Sequence, residues 1–228
     1  MSKFAPLGPA LVCAIAIASS CAGGSAPIDI SDELQGPVSP HLAIPFDKYE
    51  LTPDGLVRTY SISADRNGSD RVMVRTVSGN YLSRNFRFDL SVVLPESHDD
   101  LAYIGFGEGT PNEAYNNEPT NSFLFRIHNI GGLRRVDAAV GVRKPLKQTY
   151  PYLAEFHQIG EITPGVLTQF RIVRRDDLLT MSLTDSKVAH TFKLSQYPGL
   201  FDRDKAYLFF GNTTEGARFR YFGVTAAP

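Results

Sequence analysis

The sequence predicts an all-β protein built as an antiparallel sandwich of two sheets, and three of its features support this prediction. Short runs that alternate apolar and polar residues recur along the chain, as expected for strands with one buried face. The 15 Phe and 10 Tyr residues suit a pleated, half-buried surface, and 19 Gly and 15 Pro residues mark the turns between runs. No long window shows helical periodicity, so few helices are expected.

Residues 1–20 are predicted to be a signal peptide. Lys3 supplies a short positive start, and Ala10 to Ala18 form an apolar core of nine residues. A membrane-spanning helix needs about 20 apolar residues, so this core is too short to span a bilayer. The segment is therefore expected to direct export and then to be removed, the alternative being a buried N-terminal helix.

The segment Ala18-Ser-Ser-Cys21 follows this core and resembles the lipobox of bacterial lipoproteins, although Ala18 stands where that family usually has Leu. The resemblance implies that Cys21 is acylated with diacylglycerol and becomes the new N-terminus. Because Cys13 lies in the removed segment, Cys21 has no disulfide partner in the mature chain. Ala22 would then be the second residue of the mature chain. In bacterial lipoproteins an Asp at this position favours retention in the inner membrane, so the resemblance implies that this chain is sorted to the outer membrane or cell surface. Cleavage after Ala22 or Ala26, with plain secretion, is the alternative.

Residues 21–45 are predicted to form the lipid-anchor site and a flexible tether, because Gly and Pro are frequent there and apolar runs are few. Residues 46–228 are predicted to form the sandwich domain. Its clearest strand is 85–94, in which Phe86, Phe88 and every second later residue share an apolar face. The other predicted strands are 71–77, 101–106, 122–128, 135–142, 168–173, 178–183, 206–210 and 218–224.

The order of these strands resembles the concanavalin A-like jelly-roll sandwiches, the superfamily of lectins and glucanases. The resemblance covers about residues 55–225. It is most specific after the Pro164-Gly165 turn, where a hairpin, a Phe-rich strand and the ending Phe219-x-x-Phe222-x-Val224 follow in turn. It implies a jelly-roll fold. Because this fold hosts binding modules, hydrolases and lyases alike, activity must be argued from individual residues.

A long polar stretch, residues 105–122, joins two predicted strands and is the first candidate ligand site. Glu108, Tyr115, Asn116 and Asn121 suit a sugar, because amides and carboxylates bond hydroxyl groups and a Tyr ring covers the apolar face of a sugar. The acidic residues in this stretch could equally hold Ca²⁺, which takes about six to eight oxygen ligands. No other cofactor is expected, and a solvated loop is the alternative.

Two strands supply a second candidate site. Arg87 and Asp89 face away from the apolar side of their strand, and Arg126 and His128 do the same on theirs. If the two strands are neighbours in one sheet, the four side chains form one polar patch on the concave face of the jelly roll. The alternative is a set of exposed ion pairs, each worth less than about 1 kcal/mol.

Three short segments resemble motifs of the jelly-roll alginate lyases: Arg87-Phe-Asp-Leu90, Arg126-Ile-His128 and Tyr221-Phe222. The resemblance implies that His128 and Tyr221 transfer protons in a β-elimination and that Arg87 neutralises a uronate carboxylate. The sequence departs from that family at Asp89, where the lyases have Glu, and at Arg126, where they have Gln. The family's Lys and its following Asn-Gln are missing.

Several function classes are excluded. The 23 Lys and Arg residues balance 24 Asp and Glu, so the basic surplus of a nucleic-acid-binding protein is absent. The sequence also lacks the run of paired carboxylates that the jelly-roll glucanases use for catalysis. It lacks the Gly-x-Ser-x-Gly motif of serine hydrolases and the short His-x-x-x-His or Cys/His spacing of zinc-binding motifs. The sequence therefore predicts an exported, lipid-anchored surface module that binds an oligo- or polysaccharide. A polysaccharide lyase and a non-catalytic envelope protein for adhesion or structure are the alternatives.

A Cys21→Ser substitution tests the lipobox prediction. The substitution removes the acylated thiol, so a heavier, unprocessed precursor should accumulate in the membrane fraction. Detergent, but not high salt, should release the wild type, because several acyl chains hold a protein stably at a membrane. Gel mobility and fractionation check both results, with Cys13→Ser as the matched control. A Cys21→Ser protein that is processed normally and soluble would contradict the prediction.

Overall fold

The computed structural model describes residues 26–59, 73–96, 102–111, 119–130, 133–142, 152–198, 200, 205–212 and 216–228. Cys21 and the predicted signal peptide lie outside these ranges, as do Tyr115 and Asn116 of the long polar stretch. Within these ranges, no helix is long and apolar enough to cross a bilayer.

The described residues form fifteen β-strands and two short 3-10 helices, which confirms the prediction of an all-β protein. The 3-10 helices are Tyr81–Ser83 and Leu194–Gln196. The strands are β1 (Ile30–Asp32), β2 (Leu42–Ala43), β3 (Tyr49–Thr52), β4 (Gly55–Arg58), β5 (Val74–Thr76), β6 (Phe86–Val93), β7 (Ala102–Pro111), β8 (Pro119–Ile130), β9 (Leu133–Val142), β10 (Tyr152–Ile162), β11 (Leu167–Arg175), β12 (Leu178–Leu183), β13 (Ala189–Lys193), β14 (Tyr207–Asn212) and β15 (Arg218–Ala226).

These strands form two sheets, and the neighbouring strands are antiparallel. Sheet A has the order β13-β12-β11-β6-β15-β4-β3, with β1 also paired to β15. Sheet B has the order β10-β9-β8-β7-β14-β5-β2. The predicted two-sheet antiparallel sandwich is thus confirmed. The two strands predicted over 168–183 are β11 and β12, which pair as a hairpin.

An aromatic layer fills the space between the two sheets. The ring of Phe86 on sheet A lies 5.2 Å from that of Phe106 on sheet B, between ring centres. Likewise, the ring of Phe125 on sheet B lies 5.1 Å from that of Phe170 on sheet A. All four side chains are buried, and burying one such side chain stabilises a fold by about 1.5–3 kcal/mol. This layer holds the sheets face to face and sets which residues point inward.

The segment 26–45 belongs to the sandwich. Within it, β1 pairs with β15 and buries Ile30 in the core. The Asp32 carboxylate then accepts the backbone N–H groups of Leu34 at 2.7 Å and Ser39 at 2.6 Å, which holds the turn after β1. The prediction of a flexible tether is corrected for this segment, because its few apolar side chains reach the core despite the Gly and Pro around them.

Asp89 connects two strands on the outer face of sheet A, the side turned away from sheet B. Its carboxylate accepts the Nε–H of Arg87 at 2.5 Å and that of Arg171 at 2.6 Å. The second contact follows from the register, because Arg171 on β11 lies opposite Asp89 on β6. Asp89 itself is nearly buried. A buried carboxylate needs such partners, so Asp89 serves the structure of sheet A.

An Asp89→Ala substitution should lower the free energy of unfolding by about 1–3 kcal/mol, because it leaves two Arg side chains without the acceptor that they share. Urea denaturation measures the change. The matched control is Asp29→Ala, since Asp29 is exposed and should shift stability by less than about 0.5 kcal/mol. Equal stability of the two variants would show that the Asp89 ion pairs do not support the fold.

Candidate functional site

The outer face of sheet B, the side turned away from sheet A, carries two parallel rows of residues that the strand register aligns. The polar row consists of Gln158, Asp137, Arg126 and Tyr103, each opposite the next on a neighbouring strand. The apolar row runs beside it and consists of Phe156, Ala139, Leu124, Gly105 and Phe209. The register thus sorts the outward side chains of sheet B into one polar and one apolar row.

Most of the apolar row is buried even though it faces away from the main core. Leu124, Ala139 and Phe209 form a separate apolar cluster together with Tyr103 of the polar row. Gly105 makes room for the Phe209 ring, because a Cβ atom at this position would lie 2.4 Å from the end of the ring. This part of sheet B is therefore packed on both of its faces.

Phe156 is the exception in this row. It lies on β10, the edge strand of sheet B, and 56% of it is exposed. Its neighbour in the polar row, Gln158, is exposed as well. The edge of the outer face thus presents an aromatic ring and an amide side by side, at a place that a ligand can reach.

The centre of the polar row holds charges that are compensated within the protein. Asp137 is 1% exposed and accepts the Nε–H of Arg135 at 2.6 Å from the same strand. The register places Arg126 opposite Asp137 on β8, and Arg126 is half-buried. A carboxylate and two guanidinium groups therefore lie close together on this face, and guanidinium groups bind carboxylate or hydroxyl oxygens well.

The stretch 105–122, predicted as one polar loop, belongs largely to β7 and β8, and two of its predicted ligand residues, Glu108 on β7 and Asn121 on β8, meet near the turn end of this hairpin. The side-chain amide of Asn121 donates to Oε2 of Glu108 at 3.0 Å. Asn121 is 5% exposed and has a φ of 52°, a left-handed conformation that Asn tolerates better than most residues. The pair joins the two strands at the register shift between Gly107 and Thr110. Tyr115 and Asn116, the other predicted ligand residues of this stretch, lie outside the described residues.

The single patch expected from Arg87, Asp89, Arg126 and His128 does not form. Arg87 and Asp89 lie on β6 in sheet A, whereas Arg126 and His128 lie on β8 in sheet B. The expectation rested on β6 and β8 being neighbours, but the chain crosses to the other sheet between them. The proton-transfer set implied by the lyase resemblance fails for the same reason, because Tyr221 and Arg87 lie on sheet A and His128 on sheet B.

A polar cluster that the sequence did not predict lies at the open edge between the sheets. We call Glu155, His157, His190 and Tyr197 the edge cluster. Glu155 and His157 lie on β10, at the edge of sheet B, and His190 lies on β13, at the edge of sheet A. Because Glu155 and His157 share the side of β10 that carries the buried Ile159, they point toward sheet A. No short sequence motif joins residues that are this far apart in the chain.

Short contacts hold the edge cluster together. Oε1 of Glu155 lies 2.5 Å from Nε2 of His157 and 3.9 Å from Nε2 of His190. The two imidazole rings stack with their centres 3.6 Å apart and their planes at 11°. The hydroxyl group of Tyr197 donates to the other carboxylate oxygen, Oε2 of Glu155.

The surroundings shift the protonation of three of these groups. The hydrogen bond from Tyr197, followed by that from His157, lowers the pKa of Glu155. Burial lowers the pKa of His190, and the neighbouring His157 lowers it further. Burial and the bond to Glu155 raise the pKa of Tyr197. Clusters of perturbed groups are typical of functional sites.

In the part of the chain that the structure describes, Glu155, His157 and His190 are the group of potential metal ligands close enough to hold one ion. Their ligand atoms all lie within 4.8 Å of one another. The Ca²⁺ site considered for the polar stretch relied on Glu108, Glu113, Asn116 and Glu118, and the last three lie outside the described residues.

Comparison with known proteins supports the fold. No protein-family model and no curated protein sequence matches the chain. A Crh5 transglycosylase in complex with NAG is similar over 90% of this chain and 86% of its own, with a TM-score of 0.60 and 8% identity. An alginate lyase from Pseudomonas aeruginosa is similar over 79% and 86%, with a TM-score of 0.51 and 17% identity.

A legume lectin-like domain from Entamoeba histolytica is also similar, over 82% of this chain and 89% of its own, with a TM-score of 0.50 and 7% identity. The chain therefore has the concanavalin A-like jelly-roll fold, as its strand order predicted. At these identities the similarity concerns the fold, and it assigns no role to any residue.

The pKa shifts predict that acid destabilises the edge cluster. His190, with its pKa lowered in the folded state, contributes stability that is lost as the pH falls below about 6.5, the usual His value. Glu155, whose pKa is also lowered in the folded state, contributes stability that is lost as the pH falls below about 4.5, the usual Glu value. Urea denaturation between pH 7 and pH 4 in metal-free buffer should therefore show a smaller pH dependence for His190→Gln than for the wild type. His41→Gln, at an exposed position, is the control. An unchanged pH dependence in His190→Gln would count against the shift.

Proposed function

We propose that this chain is an exported, lipid-anchored protein that binds an oligo- or polysaccharide on the outer face of sheet B. The observation that carries the proposal is the exposed Phe156 ring beside the exposed Gln158 amide, at the end of a polar row that continues through Asp137 to Arg126. The binding is proposed to occur without cleavage of the glycan.

Each part of this surface suits a sugar for a physical reason. The flat Phe156 ring can cover the C–H face of a pyranose and so remove two apolar surfaces from water. The Gln158 amide both donates and accepts hydrogen bonds, which matches adjacent hydroxyl groups. The Arg126 guanidinium could bond a carboxylate on an acidic sugar through two parallel hydrogen bonds. The surface would therefore accept a glycan that lies along β10 at the edge of sheet B and reaches toward the half-buried Arg126.

The similar structures support a carbohydrate ligand without identifying it. One of them carries NAG, another is an alginate lyase and a third is a lectin-like domain. These proteins share the two-sheet jelly-roll arrangement with this chain and differ from it at most residue positions. A substrate or ligand therefore cannot be transferred from any of them, and the choice of glycan must come from experiment.

A binding module fits the described residues better than a lyase does. A β-elimination needs an acid, a base and a group that neutralises the uronate, all on one face. Arg87 and Tyr221 lie on the outer face of sheet A, across the sandwich from β8. Arg87 is also engaged with Asp89. A protein of the envelope that binds neither glycan nor substrate remains the contrasting hypothesis from another class.

The proposed location follows from the N-terminal sequence. A lipid anchor at Cys21 would place residue 26, where the described sandwich begins, within a few residues of the membrane surface. The sandwich would then stand close to the membrane, and a surface-bound glycan would be within its reach. Plain secretion would leave the same binding face on a free protein.

A glycan array of the full chain, followed by titration of the best ligand, tests the proposal. Phe156→Ala should weaken binding by about 10-fold or more, because the loss of a stacked ring typically costs over 1 kcal/mol. Phe46→Ala is the matched control, since Phe46 is similarly exposed and lies between β2 and β3. Gln158→Ala should weaken binding less than Phe156→Ala.

Absence of binding to every neutral and acidic glycan would contradict the proposal and favour the envelope-protein hypothesis. An ultraviolet absorbance screen against uronate polymers should stay flat. Rising absorbance would instead reveal elimination products and show that the protein is a lyase. Equal binding by Phe156→Ala and wild type would remove the outer face of sheet B as the site.

A further inference from the structure

We propose that Glu155, His157 and His190 of the edge cluster form a site for one zinc ion at the open edge of the sandwich. The site is independent of the glycan-binding proposal, because these side chains point into the sandwich whereas Phe156 and Gln158 point out of it. It joins β10 of sheet B to β13 of sheet A.

The ligand types select a zinc-type metal. Two imidazoles and one carboxylate are a ligand set that Zn²⁺ uses, with a fourth position left for water. Ca²⁺ and Mg²⁺ are hard cations that prefer oxygen ligands, so two imidazole nitrogens make this a poor site for either. Side chains that are 25–39% exposed leave room for a water molecule as the fourth ligand.

Of the two distances between ligand atoms in this cluster, one is shorter and the other longer than the distance between two ligands of a tetrahedral zinc ion. At zinc–ligand bonds of about 2.0–2.1 Å, two ligand atoms of a tetrahedral site lie about 3.3 Å apart. Nε2 of His157 lies 2.5 Å from Oε1 of Glu155, and Nε2 of His190 lies 3.9 Å from the same oxygen. An ion would take the place of the proton between His157 and Glu155, and small rotations of the side chains would then bring His190 to bonding distance.

Neighbouring side chains already hold these ligands in place. The Tyr197 hydroxyl bonds Oε2 of Glu155 and so leaves Oε1 for the ion. Phe192, which is 2% exposed, packs its ring edge-on against both imidazoles, 4.4 Å from His190 and 6.1 Å from His157 between ring centres. Outer contacts of this kind orient metal ligands and raise affinity.

The site has a structural consequence for the whole sandwich. Its ligands come from the edge strands of two different sheets, so an ion would join the sheets where the aromatic layer ends. An ion that binds only the folded chain stabilises it by a free energy that rises with the logarithm of the ion's concentration once this exceeds Kd. At free zinc about 100 times above Kd, the equilibrium constant for unfolding should fall about 100-fold.

The test uses the full chain without a polyhistidine tag and with Cys13→Ser and Cys21→Ser, so that no thiol competes for zinc, and it is done in detergent because Cys21→Ser is expected to leave a precursor in the membrane. After removal of metals with a chelator, equilibrium dialysis and elemental analysis should find one zinc ion per chain. His157→Ala and His190→Ala should each weaken binding by more than about 100-fold, because loss of an outer partner alone costs about 10–100-fold. The control His41→Ala should bind as the parent chain does.

Two further variants keep the test decisive if a His variant fails to fold. Glu155→Gln keeps the side-chain shape and should weaken zinc binding strongly, whereas Tyr197→Phe should weaken it about 10-fold to 100-fold. Co²⁺ bound to the parent chain should give the visible absorption of a tetrahedral site. A parent chain that binds no zinc, or a Glu155→Gln variant that binds zinc as the parent does, would overturn the proposal.

Discussion

The alternation of side chains across two facing sheets is the constraint on which the rest of the structure depends. Because Phe125 turns inward to meet Phe170, its neighbours Leu124 and Arg126 must lie on the opposite face of β8. The antiparallel register then places these outward residues opposite the outward residues of β7 and β9, which produces the polar row and the apolar row of sheet B. The chemistry of the outer face is therefore set by the buried aromatic layer.

Periodicity in the sequence predicted the faces of the strands but not their neighbours. The alternation of β6 revealed its apolar face and nearly its bounds, because both depend on local residues alone. The sheet that a strand joins depends on contacts between distant segments, about which a period of two carries no information. Arg87 and Arg126 thus each lie on the side of the strand away from the core, as the alternation predicts, yet the two lie on different sheets.

The edge cluster could not be predicted from the same rule, because an edge strand obeys it less strictly. On β10 the inward positions include Glu155 and His157, while Phe156 is exposed, so the expected polarity is reversed. Water reaches the inner side of a sandwich at its open edge, so Glu155, His157 and His190 keep part of their side chains exposed while burial still shifts the pKa of His190. Inward-pointing charged residues also discourage an edge strand from pairing with another chain. A pattern search for alternating strands misses such a segment.

The two outer faces differ in how much free energy a ligand could gain from them. On sheet A, Asp89 and its two Arg partners satisfy one another, and a ligand would have to replace those contacts at a cost in desolvation. On sheet B, Phe156 leaves an aromatic ring in water, and covering that ring is favourable for almost any flat partner. The same strand turns Glu155 and His157 toward sheet A. β10 therefore carries the proposed glycan-binding side and the proposed zinc-binding side on one backbone, so substitutions on alternate residues of this strand test the two proposals separately.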